Sequence, residues 1–129
     1  MSDTIKLLTA EVTEAYQRYL RAFLDDDVAT INSLISYPLA YIGEGEVTMF
    51  DEFPIRPSVL REKTGWSDTL DVSYKVIGIS ETKAHLILES GTRVRSDGSP
   101  IEDIYAFYAW TKSKEGWKMY AVSDVLVAA

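Results

Sequence analysis

The chain has no cysteine and a single histidine, His85. Disulfides, thiolate metal sites and cysteine nucleophiles are thereby excluded. A zinc centre, which takes about three or four ligands, would have one imidazole to draw on, so no metal is expected. Basic residues are in deficit: 13 Lys and Arg stand against 20 Asp and Glu, giving a net charge of −7. Such a chain lacks the cationic excess that displaces counterions from nucleic acid or docks on an anionic membrane. No nucleic-acid or membrane partner is expected. No apolar run approaches the ~20 residues of a membrane span. Asp3, Glu11 and Glu14 occupy the stretch where a signal peptide needs a basic start and an apolar run. The expectation is a soluble, cytoplasmic protein. Also missing are a Gly-x-Ser-x-Gly nucleophile turn, a Ser/His/Asp set in recognisable context and a phosphate-cradling glycine loop. Hydrolase, kinase and dinucleotide chemistry therefore fit poorly, and no cofactor is expected.

What remains is ordinary for a folded globule: 129 residues, 47% hydrophobic and 26% charged, read as one domain over 1–129. From about Asp3 to Leu24, apolar residues recur at helical spacing (Ile5, Leu8, Val12, Tyr16, Tyr19, Phe23), and Glu14, Arg18 and Arg21 fall opposite. Asp25-Asp26-Asp27 ends this helix, and Asp27 is a good N-cap for a second one over Val28 to Ile35. The acidic triplet reads as helix break and cap, because neighbouring carboxylates without loop glycines are a weak cation signal. Tyr37 to Ile42 and Val47 to Phe50 read as short strands, with Pro38 confining the first to an edge or a strand start. A third helix runs from Ser58 to about Thr64, with Pro57 in its first turn and Gly65 as its stop.

After Trp66 the period changes to two. Leu70, Val72, Tyr74 and Val76 alternate with polar residues. In Ala84 to Arg95, alternation puts Ala84, Leu86, Leu88 and Val94 on one face and His85, Glu89, Gly91, Arg93 and Arg95 on the other. Ile101 to Lys112 and Trp117 to Val127 form a long hairpin about Ser113-Lys114-Glu115-Gly116, apolar on both faces from Ile104 to Trp110. Such a strand needs cover on both sides. The layout is α+β: a conical half-barrel with three N-terminal helices packed on a curved, mainly antiparallel sheet, Gly78 and Gly91 being its candidate bend points.

This order of elements resembles the nuclear transport factor 2-like superfamily, which includes SnoaL-like polyketide cyclases and ketosteroid isomerase. The resemblance covers nearly the whole chain and is carried most by Tyr19 through Asp27, Val28 to Ile35, and Gly116-Trp117-Lys118-Met119. It implies a pocket between helices and concave sheet, and often a dimer through the convex sheet. Against the isomerase pattern, Tyr19 stands in the matching place, eight residues before Asp27. The position of the general base falls near Ile42-Gly43, one residue short of Glu44, and that of the second oxyanion donor among Tyr105 to Phe107, downstream of Asp103. One of the isomerase's roles is matched, which argues against steroid isomerisation.

Asp103 shares a strand face with Tyr105 and Phe107. On a concave face its carboxyl would be desolvated and suited to proton transfer; near a strand mouth it is a solvated residue after a turn. Asp124 reads either as a pocket acid or as a surface residue, and His85 as part of a polar outward face. The expected catalytic set is Tyr19, Asp103 and Asp124, with Tyr16, Tyr41, Trp66, Tyr105 and Phe107 as ligand contacts. The leading expectation is a small apolar-ligand-binding protein that works as a lyase, cyclase or isomerase, with Tyr19 donating to a substrate oxygen. The competing one is a noncatalytic homodimeric interaction or regulatory module paired through the outer face of the last strands.

Overall fold

The computed structural model describes residues 2–129. Helix α1 (Asp3–Leu24) opens on Ser2, whose hydroxyl accepts the Ile5 N–H at 3.2 Å. Helix α2 (Val28–Ser33) is capped by Asp27, which takes the Thr30 N–H and hydroxyl. It is shorter than the sequence pattern implies: Leu34 is its C-cap, and Ile35 begins strand β1 (Ile35–Ile42). Strand β2 (Val47–Phe50) and helix α3 (Pro57–Thr64) follow, with Gly65 stopping α3 in the left-handed region at φ 77°. The long strands are β3 (Trp66–Ile79), β4 (Lys83–Arg95), β5 (Pro100–Ser113) and β6 (Gly116–Ala128).

These strands make one six-stranded, curved and unclosed sheet of order β2-β1-β6-β5-β4-β3. All neighbours are antiparallel except β1 and β6, which run parallel. Strand β1 is therefore not an edge, one of the two places that Pro38 allows, and it begins three residues before the proline. Its pairing with β6 breaks between Ile35 and Ala40, and the exposed Pro38 sits in that break, where no ladder N–H is demanded of it.

Helix α1 packs its apolar stripe on the concave face of the sheet. Leu8, Val12, Tyr16, Tyr19 and Phe23 meet Leu86, Leu88, Tyr108, Trp110, Met119 and Val122 in one core. Fully burying each of the large apolar side chains contributes roughly 1.5–3 kcal/mol. Near the middle of α1, the Glu11 carboxylate accepts both the Trp117 indole N–H and the Lys112 ammonium at 3.1 Å, tying the helix to the β5–β6 hairpin.

The bends that curve the sheet also redirect side chains. From Leu88 to Thr92 β4 advances four residues while its partner β5 advances three, from Ala106 to Asp103. This bulge contains Gly91, and it turns Arg93 to the side occupied by Leu86 and Leu88. Simple alternation had placed Arg93 outside; the extra residue reverses the parity.

Candidate functional site

The inner face of α1 presents Tyr16, Tyr19 and Phe23 at the spacings that align helical side chains. Beneath them β5 presents Ile104, Ala106 and Tyr108 inward. The tyrosines form a cluster: ring centroids lie 5.9 Å apart for Tyr16–Tyr19, 5.0 Å for Tyr16–Tyr108 and 6.0 Å for Tyr19–Tyr108. Phe53 closes edge-on against Tyr19 and Phe23, and Trp66 against Phe23. Arg61 of α3 lies over the Trp66 ring at 4.4 Å and donates to the Leu24 carbonyl, latching α3 to the end of α1.

Beside this cluster runs an open cleft of about 630 Å³ between α1 and the sheet. The exposed Glu14, Arg18, Arg21, Asp25 and Asp68 rim it, while Tyr19, Phe23, Trp66, Arg93, Tyr108 and Asp124 form its deeper wall. The cleft is not filled by aromatic side chains, though it is open rather than sealed.

The polar groups in the wall have distinct partners. The Tyr16 and Tyr108 hydroxyls share a hydrogen bond at 3.3 Å, and the Tyr41 hydroxyl donates to Asp124 Oδ1 at 2.6 Å. Arg93 is buried and donates from one guanidinium nitrogen to Glu102 Oε2 at 2.7 Å. Among the described residues the Tyr19 hydroxyl hydrogen-bonds to nothing, yet it is not among the sealed, unpaired polar atoms, so it faces the cleft.

Burial raises the Tyr19 hydroxyl well above its ordinary value, and the neighbouring Tyr108 adds to the effect. Tyr108 is raised in the same way, by burial and then by Tyr16. Tyr16 is raised by burial, and Tyr41 by burial and by its hydrogen bond to the Asp124 carboxylate. All four phenols hold their protons and can act only as donors or positioning groups. Asp124 is the carboxylate of the deeper wall.

Of the residues singled out in the sequence, Tyr16, Tyr19, Trp66 and Asp124 line the cleft, and Tyr41 joins them through Asp124. Asp103, Tyr105 and Phe107 do not. They occupy the alternate positions of β5 and so face the opposite, outer side of the sheet. There Asp103 accepts the Thr92 hydroxyl at 2.8 Å, Tyr105 is 41% exposed, and Phe107 meets His85 edge-on at 5.1 Å. The contribution of Arg93 was hidden by the bulge, and only Gly91 marked it in the sequence. Among the described residues no acidic or histidine cluster could hold a metal ion, and no helix is long and apolar enough to cross a membrane.

No family model and no curated protein matches the chain. Solved structures do. A cystatin-like fold protein from Burkholderia xenovorans superposes with a TM-score of 0.61 at 20% identity, covering 95% of this chain and 93% of its own. An NTF2-like protein from Cytophaga hutchinsonii gives 0.62 at 15% identity with 100% of both chains covered. A candidate dehydratase of the NTF2-like family from Streptomyces avermitilis gives 0.62 at 16%, covering 94% and 96%. At such identities the likeness speaks to architecture, and it agrees with the helix order and the curved sheet: the chain has the nuclear transport factor 2-like, cystatin-like α+β fold.

Proposed function

We propose that the chain binds a small, largely apolar molecule in the cleft between α1 and the concave sheet and performs a lyase-, cyclase- or isomerase-type proton transfer on it. One observation carries this reading: the unengaged Tyr19 hydroxyl and the Asp124 carboxylate line the same cleft. Tyr19 donates to a carbonyl oxygen of the ligand. Asp124 removes a proton from the adjacent carbon, and the electron pair moves onto the oxygen as an enolate, where the Tyr19 donor stabilises it. The Tyr41 hydroxyl holds the Asp124 carboxylate in place. The structure described as a candidate dehydratase lends this chemistry support as a relative in fold alone.

The test is ligand-observed NMR in D2O with a panel of cyclic ketones. Binding together with enzyme-dependent exchange of the protons beside the carbonyl is expected, with exchange lost in Asp124→Asn and reduced in Tyr19→Phe. Binding without exchange in the native chain would remove the catalytic part and leave a carrier. Absence of binding across the panel would remove the whole reading.

A second reading, a homodimer joined through the outer face of the sheet, rests on a separate observation. Tyr105, Val125 and Val127 are 41%, 59% and 47% exposed on that face, with Tyr105 directly opposite Val125 across the β5–β6 ladder. An apolar strip on a two-sided apolar hairpin is the kind of surface that a second copy covers. The two readings are compatible, since they use opposite faces.

A further inference from the structure

The proposed proton transfer makes no use of Arg93, yet Arg93 is the most unusual polar group in the wall. Its side chain is nine-tenths buried, with 9% exposure, and it belongs to the cleft lining. A guanidinium has five N–H donors in a fixed fork. Only one is engaged among the described residues, by Glu102 at 2.7 Å. The fork lies beneath the Phe23 ring, 5.9 Å from its centroid, on the same inner wall as Tyr19 and Tyr108.

Charge balance decides what those donors accept. By formal charge Arg93 and Glu102 cancel, the Asp124 carboxylate leaves the wall with one negative charge, and on the rim Glu14, Asp25 and Asp68 outnumber Arg18 and Arg21 by one. A carboxylate ligand would bring a second to the wall. Two unit charges about 6 Å apart, at an effective dielectric of about 20, repel enough to weaken binding about a hundredfold. A neutral carbonyl oxygen brings no charge and still satisfies the fork.

Resting on the reading of the cleft as a ligand site, we infer that the Arg93–Glu102 pair is a charge-neutral donor site that works with Tyr19 to select a neutral carbonyl oxygen and reject a carboxylate. Glu102 sets the selectivity: it cancels the charge of Arg93 while leaving most of its donors free. The body of the ligand is aromatic or alicyclic, because Tyr19, Phe23, Phe53 and Trp66 surround the approach.

The test compares acetophenone, benzoate and cumene, which share shape and differ in oxygen and charge, by NMR chemical-shift titration near neutral pH. Acetophenone is expected to bind at least tenfold more tightly than either of the others. Glu102→Gln exposes the charge of Arg93, so benzoate should gain about tenfold while acetophenone changes little. Arg93→Lys keeps the charge and loses the fork, so acetophenone should weaken toward cumene. The inference is overturned if native protein prefers benzoate, or if both folded variants leave the order of the three unchanged. If cumene and acetophenone bind equally, the cleft is a ligand site but this selectivity is wrong. If none of the three binds at millimolar concentration, the ligand-site reading fails and takes the inference with it.

Discussion

The Tyr41 hydroxyl donates to Asp124 Oδ1 at 2.6 Å and thereby joins the first strand to the last at the cleft wall. Tyr41→Phe keeps the ring packed on the core and removes that donor. Stability should fall by about 1 kcal/mol, the net worth of one hydrogen bond at a half-buried site. A urea titration of both proteins measures it. An unchanged midpoint would mean that water replaces the phenol without loss.

The buried phenols make alkaline pH a second probe. Tyr16, Tyr19 and Tyr108 have folded values raised above the ordinary 10.0, chiefly by burial. Their stabilising contribution is complete below the unfolded value and is lost as pH rises from there through the folded values. Above about pH 10 the unfolded chain releases these protons first, and each phenol steepens the decline by about 1.4 kcal/mol per pH unit. Ultraviolet titration should show at least three of the eight tyrosines resisting ionisation until the fold is lost. Uniform titration near 10 in the folded protein would contradict the cluster.

Removing one half of the Arg93–Glu102 pair should cost more than removing both. Arg93→Met strands a half-buried carboxylate, for a loss of about 3 kcal/mol. Arg93→Met combined with Glu102→Gln should recover most of it, and a double-mutant cycle from chemical denaturation reads the coupling. Additive losses would place the pair in solvent rather than in the wall.

The bulge in β4 depends on the absence of a side chain at Gly91. A Cβ there would lie 3.3 Å from both Ile104 Cγ2 and Thr69 Cγ2, tighter than neighbours normally allow. Gly91→Ala should destabilise by about 1–3 kcal/mol through overpacking, and Gly91→Val by more. Thermal unfolding checks this, and a stable Gly91→Val would show that the bulge relaxes freely.

On the outer face, Tyr105→Lys with Val125→Lys should abolish self-association. Light scattering is expected to give the native protein about twice the mass of the 14.5 kDa chain, and the variant the mass of one chain. Native protein that stays monomeric at micromolar concentration sinks the dimer reading.

Particular residues show how far the sequence was readable. The stripe from Leu8 to Phe23, the Asp27 cap, the Gly65 stop and the β5–β6 hairpin were all legible, because each depends on residues a few positions apart. Tyr19 was identified on the inner face of its helix for the same reason. The helical pattern extends over Ile35, but its pairing with Met119 of β6, some eighty residues away, makes it the start of a strand, and the same distant strand makes β1 an interior one.

The amino-acid sequence by itself determined the elements, their order, the acidic character of the chain and the two apolar faces of its last hairpin. Tertiary structure decided which face looks into the cleft. Alternation says that Asp103, Tyr105 and Phe107 share one side and Ile104, Ala106 and Tyr108 the other, but it is symmetric with respect to inside and outside. Packing of α1 breaks that symmetry, and a single extra residue near Gly91 carries Arg93 across it. Both depend on pairing with distant strands: a one-residue change in register reverses the side chains that follow until the register shifts again, and Gly91 marks a candidate bend without saying how many residues it inserts.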